Sequence, residues 1–154
     1  MDLGRLRIDT EAATETIAAF ISTAVDGPGL NGAVIALSGG LDSAVAAFLT
    51  ARAVGPERLR AYNMPYATSD PDSEAHARLV AEQLGIEFEV IDITPQIDAY
   101  FRSHPDADGL RRGNKMARER MTSLDPDEVA PQSVISIKPI SAAINSFFGS
   151  GQLS

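Results

Sequence analysis

Residues 33–48 read "AVIALSGGLDSAVAAF". Small and aliphatic residues from Ala33 to Leu37 stop at Ser38-Gly39-Gly40, and a second apolar run begins after Asp42 and Ser43. The first run lacks the alternation of a half-exposed strand and fits a strand buried on both faces. The second, residues 43–54, is alanine-rich and ends before Gly55-Pro56, as a helix would. The joint is therefore a buried strand passing directly into a helix through two glycines.

The flanking segments repeat this alternation. Upstream, residues 11–25 carry Ile17, Phe20, Ile21, Ala24 and Val25 at helical spacing, which predicts a helix with those residues inward. Thr10 with Glu11 makes its acidic start. "DGPGLNG", residues 26–32, breaks it. Downstream, residues 59–64 predict a second strand, ended by Pro65. Residues 70–85 predict a helix with Asp70 as cap, Pro71 at the first turn and Gly85 past the end. "IEFEVIDI", residues 86–93, alternates and predicts a third strand near a sheet edge. Thr94-Pro95 opens a helix through Tyr100 and Phe101. Strands alternating with helices predict a parallel sheet with right-handed crossovers. The expected class is α/β: a three-layer α-β-α, Rossmann-like fold. Ligands of such sheets bind outside the carboxyl ends of the strands. "SGGLDS" (38–43) and "MPYATSD" (64–70) fall there.

The remainder is less regular. Residues 102–121 read as a polar loop leading into a basic helix start, and 122–132 as an acidic, proline-bearing loop. "SVISIK" (133–138) fits a short strand, "ISAAINSFF" (140–148) a helix, and 149–154 a frayed end.

Composition narrows the chemistry. The 154 residues suffice for one domain with a core. A net charge of −8 disfavours a broad nucleic-acid-binding face. Without cysteine there is no disulfide, thiolate metal site or thiol catalysis. Only His76 and His104 offer imidazole, which disfavours a multi-histidine metal site; both read as surface histidines. The first ten residues read as no signal peptide, and no run reaches membrane-spanning length. A cytoplasmic protein is the expectation.

The joint suits a polyphosphate. N–H groups of a first helical turn favour an anion, and Gly39 and Gly40 keep side chains out of its way. Ser38 and Ser43 add hydroxyls. Asp42 beside phosphates makes sense if a divalent cation bridges them. The other reading is a tight turn with Asp42 as the helix cap. No Walker A lysine is present. Asp70, Asp72 and Glu74 read as first-turn helix acids rather than a metal site.

"SGGLDS" resembles the PP-loop, S-G-G-x-D-S, of the ATP pyrophosphatase superfamily, which favours the cradle. Within that superfamily, residues 16–49 are similar to the opening of the ammonia-dependent NAD synthetases. "MPY" (64–66) and the helix behind it resemble a further segment of that family. "RRGNKMARERM", residues 111–121, resembles its R-x-G-N-x-x-A-R-x-R-M, which contacts the dinucleotide. Met116 and Asn63 depart from residues common in relatives.

The resemblance implies a ligase acting in NAD biosynthesis. The carboxylate of nicotinic acid adenine dinucleotide (deamido-NAD) attacks ATP, giving an acyl-adenylate and pyrophosphate. Ammonia then forms the amide and AMP leaves. By motif position, Ala36, Leu37, Ser38, Gly39, Gly40, Leu41, Asp42, Ser43 and Met64 would bind ATP. Asp42 would ligate Mg²⁺, and Asn114 and Arg118 would bind deamido-NAD. No side chain is assigned a catalytic role beyond positioning substrates and metal. The family implies a homodimer, with no nucleic-acid or membrane partner. The match fails after Met121, so the expected organisation is a PP-loop domain over residues 1–121, C-terminally incomplete by truncation or frameshift, and a divergent or disordered tail over 122–154. The alternatives are an ATP-binding remnant without turnover, or another PP-loop amidating ligase.

Overall fold

A computed structural model describes residues 8–124 and the backbone of 134–137. In chain order the elements are α1 (Thr10–Asp26), β1 (Gly32–Ala36), α2 (Leu41–Val54), a single 3₁₀ turn (Pro56–Arg58), β2 (Leu59–Asn63), α3 (Pro71–Leu84), β3 (Glu87–Val90), α4 (Thr94–Arg102), α5 (Gly109–Thr122) and β4 (Val134–Ile137). The sheet order is β3-β2-β1-β4 and every pairing is parallel. Ala33 sits opposite Leu59 and Ala61 opposite Phe88. The third strand lies at an edge, as its alternation predicts. β4 lies beside β1, in the segment expected to hold a short strand.

Successive strand residues face opposite ways, so the sheet supports two cores. On one face Ile35, Leu37, Leu59 and Ala61 pack with Val25 of α1, Ala46 and Ala47 of α2, and Ala77 and Ala81 of α3. On the other, Val34, Tyr62 and Met64 pack with Ile97 and Phe101 of α4 and with Leu124 just beyond α5. Helices thus cover both faces, giving the three-layer α/β architecture. Among the described residues no helix is long and apolar enough to cross a membrane.

Three details correct the expectations. The cap of α1 lies one residue before the expected Thr10 start: Asp9 Oδ1 accepts the N–H groups of Glu11 and Ala12 at 3.1 and 3.0 Å, while Thr10 is already helical. Phe20 is 73% exposed instead of inward. α1 rests on the core through Ala18, Ile21 and Val25, and two residues of helix rotation, about 200°, carry Phe20 from Ala18 to the opposite side. Finally, the basic segment forms a full helix, α5. Asp108 caps it, accepting the Arg111 N–H at 2.7 Å, although glycines stand at its first and fifth positions.

The connections are tied at the ends that matter. Arg58 holds the break between α1 and β1: it donates to the carbonyls of Leu30 and Asn31 and pairs with Asp26 at 2.8 Å. Gly85 ends α3 with φ of 66°, the left-handed conformation its predicted place requires.

Candidate nucleotide-binding site

The loop after β1 is organised by its own polar groups. Ser43, only 3% exposed, turns its hydroxyl back under the loop. It donates to the Gly40 carbonyl at 2.9 Å and accepts the Ser38 N–H at 3.2 Å. The Ser38 hydroxyl lies 3.1 Å from it. Ser43 therefore shapes the loop from beneath, whereas Leu41 and Asp42 are exposed at the first turn of α2.

The two glycines do different work. Gly39 has φ of 80°, and a Cβ there would stand 2.2 Å from the Ser73 carbonyl oxygen in the first turn of α3. It permits both a left-handed backbone and close packing on α3. Gly40 has an ordinary extended backbone, and a Cβ there would meet only the Ser38 hydroxyl, at 3.5 Å. Gly40 is also the N-cap of α2 and makes no side-chain cap bond, so Asp42 is not the cap. By contrast α1, α3 and α5 each start with an aspartate that accepts a backbone N–H. The first turn of α2 keeps N–H groups that no capping side chain takes.

Beside the loop a cavity of about 480 Å³ opens at the carboxyl ends of β1 and β2. Ala36, Leu37 and Ser38 form one wall, and Asn63, Met64 and Pro65 another. The start of α3, including Asp70 and Glu74, and Arg120 of α5 complete it. Of the residues expected to bind ATP, Ala36, Leu37, Ser38 and Met64 line this cavity. Gly39 to Ser43 continue from its rim into α2.

Asn63 and Arg120 hold these walls; sequence reading noted Asn63 only as a departure from relatives and did not assign Arg120 to the site. Asn63, 5% exposed, donates its amide N–H to the Leu37 carbonyl at 2.7 Å, tying the end of β2 to the start of the loop. Arg120 Nε donates to the Met64 carbonyl at 3.0 Å. Burial pushes the Arg120 guanidinium below its ordinary value, but arginine remains a cation at neutral pH. The segment after Met64 is set by Tyr66: its hydroxyl donates to Asp98 of α4 at 2.9 Å, and its N–H to Ser69 Oγ at 3.0 Å. The carboxylate beside it raises the tyrosine's pKa.

α5 sorts its cations by helical position. Arg112 lies over the Phe101 ring, 4.4 Å from the centroid, and Lys115 lies over Tyr100 and pairs with Glu119. These dock α5 on α4. Asn114 and Arg118 are exposed and share the outer face with Leu110 and Met121. The structure thus does not bring the expected dinucleotide residues into the cavity; Arg120 alone of α5 lines it. Among the described residues no three acids or histidines gather as a metal site.

A parallel sheet with a glycine loop at the end of its first strand, running into a helix without a side-chain cap, defines a Rossmann-like fold of the PP-loop type. Known proteins give the family. The model of the NAD synthase family matches residues 13–125. An NH3-dependent NAD+ synthetase of Trichlorobacter lovleyi is 52% identical over 122 residues, 79% of this chain and 45% of that protein. The protein of the same name from Fusobacterium nucleatum is 43% identical over 79% of this chain and 47% of its own length. The structure superposes on the NH3-dependent NAD synthetase of Campylobacter jejuni with a TM-score of 0.82 and 30% identity, covering 96% of this chain and 63% of that one. The chain belongs to the NAD synthase family. It spans about half the length of the curated relatives it matches.

Proposed function

We propose that this chain provides the ATP-binding part of an NH3-dependent NAD+ synthase, which amidates deamido-NAD. The observation that carries the reading is the Ser38-Gly39-Gly40 loop opening onto the first turn of α2, whose N-cap has no side chain. ATP phosphates would lie against that turn and loop, where backbone dipoles and the Ser38 hydroxyl offset their charge. The base would lie at Met64-Pro65, in the cavity at the end of β2. The substrate carboxylate oxygen would attack the α-phosphorus, and the bond to the β-phosphate oxygen would break to release pyrophosphate. Ammonia would then attack the acyl carbon of the adenylate, displacing AMP and losing a proton. Protein groups position and neutralise charge in this scheme rather than react.

An exposed carboxylate beside a phosphate cradle suits Mg²⁺, which is usually held by one or two carboxylates together with substrate phosphates. Asp42 would hold it here, and the ion would neutralise charge on the phosphates. Asn114 and Arg118, exposed on α5, are available to a dinucleotide lying outside the ATP cavity. Their outward position supports a site shared with a second copy in a homodimer.

The test has two arms. Calorimetric titration with Mg-ATP measures binding, and pyrophosphate release dependent on both deamido-NAD and ammonia measures turnover. Turnover that Asp42→Asn abolishes is the expected result. Absence of ATP binding refutes the reading. ATP binding with no turnover supports a nucleotide-binding module instead.

A further inference from the structure

Three successive carbonyls run on from the end of β2, and the middle one has a different partner from its neighbours. Asn63 O accepts the Ile91 N–H at 2.8 Å, and Pro65 O accepts the Ile93 N–H at 3.1 Å. Both partners follow β3, so the chain's own backbone fixes these two. The carbonyl between them, Met64 O, turns the other way, as alternate carbonyls of a strand do. Its partner is Arg120 Nε, 56 residues later in sequence. Arg120 lines the cavity, is half-buried, and forms no ion pair with any carboxylate among the described residues. It stands at four-residue spacing between Met116, packed on the core from the inner face of α5, and Leu124, buried just past the end of that helix. Even a half-buried arginine with no acid to meet carries a desolvation cost that its hydrogen bonds must offset. Here the use on view is to aim one carbonyl at the wall of the nucleotide cavity.

We propose that Arg120 is a positioning residue for base recognition: by holding the Met64 carbonyl it fixes the main-chain edge against which the nucleotide base is read. A carbonyl has two lone pairs, so Met64 O can accept from Arg120 and still accept from a 6-amino group of a purine. A 6-oxo purine would bring a second acceptor to the same place and be rejected. The inference rests on the nucleotide-binding reading above.

The experiment compares the affinities of wild type, R120A and R120K for ATP, inosine triphosphate and inorganic tripolyphosphate. Wild type is expected to prefer ATP over inosine triphosphate. R120A should reduce that preference by about tenfold, the worth of one well-placed hydrogen bond, and leave tripolyphosphate affinity within about twofold. R120K, which retains a donor, should recover part of the preference. A merely structural role would lower all three affinities together. Unchanged preference in R120A overturns the proposal, as does loss of tripolyphosphate affinity in step with ATP, which would make Arg120 a phosphate contact. If R120A does not fold, R120M keeps the bulk without the donor and replaces it. Wild type that binds no ATP refutes the nucleotide-binding reading itself; wild type that binds ATP, with preference unmoved by R120A, refutes the role of Arg120 alone.

Discussion

Gly39→Ala and Gly40→Ala should differ sharply although the residues are neighbours. At Gly39, φ is 80°. A residue with a Cβ loses about 1–2 kcal/mol in that left-handed conformation. Its Cβ would also stand 2.2 Å from the Ser73 carbonyl oxygen, which is backbone in the first turn of α3 and cannot rotate aside. Relieving such a clash costs typically about 1–3 kcal/mol. The sum, about 2–5 kcal/mol, is a large part of the roughly 5–15 kcal/mol by which domains are stable. At Gly40, φ is −86° and the nearest atom to a Cβ is a hydroxyl at 3.5 Å. Alanine there loses a little as an N-cap and gains about 0.4–1 kcal/mol from a stiffer unfolded chain, leaving a net change near zero. Urea unfolding followed by far-ultraviolet circular dichroism gives both differences by linear extrapolation. A G39A change under about 0.5 kcal/mol, or a G40A change as large as that of G39A, would refute this division. G40A should nonetheless weaken ATP binding, because its Cβ would project at the N-cap of α2, against which the proposed phosphates would lie.

Two further substitutions test the supports of the site. Asn63→Ala removes the buried donor to the Leu37 carbonyl and should cost about 1–3 kcal/mol in urea unfolding; a loss below about 0.3 kcal/mol would show the tie to be dispensable. Asp26 is held below its ordinary value of 3.8, chiefly by the hydrogen bond from Arg58 and next by that from Ser22. A depressed carboxylate contributes stability above its unfolded value and loses it as pH falls through the folded one. Asp26→Asn should therefore lower the urea midpoint near neutral pH, with the gap to wild type closing as pH drops below about 3.8. A gap that persists in acid would assign the loss to packing.

What was legible in the sequence follows the range of the interactions. Strand, turn and helix after residue 33 were visible because each depends on neighbours: the apolar run, the paired glycines, Asp70-Pro71 and Gly85. The face of α1 was misjudged because periodicity alone admits two overlapping stripes, one through Phe20 and one through Ala18, and only packing on α2 selects between them. α5 was read too short because Gly109 and Gly113 count against a helix, whereas its docking on Tyr100 and Phe101 outweighs their cost. The ties between the cavity's walls were invisible for a plainer reason. Asn63 reaches Leu37 across 26 residues and Arg120 reaches Met64 across 56, and no local pattern encodes such contacts. One signal for Arg120 was nevertheless present. Met116, Arg120 and Leu124 recur at every fourth residue, so a helix that turns Met116 onto the core and leads into a buried Leu124 must carry the arginine inward between them. The same period places Asn114 and Arg118 on the outer side. A cluster that composition presents as one basic face is thus three separate devices: cations stacked on α4, polar residues turned outward, and a single guanidinium turned into the cavity at the ends of β1 and β2.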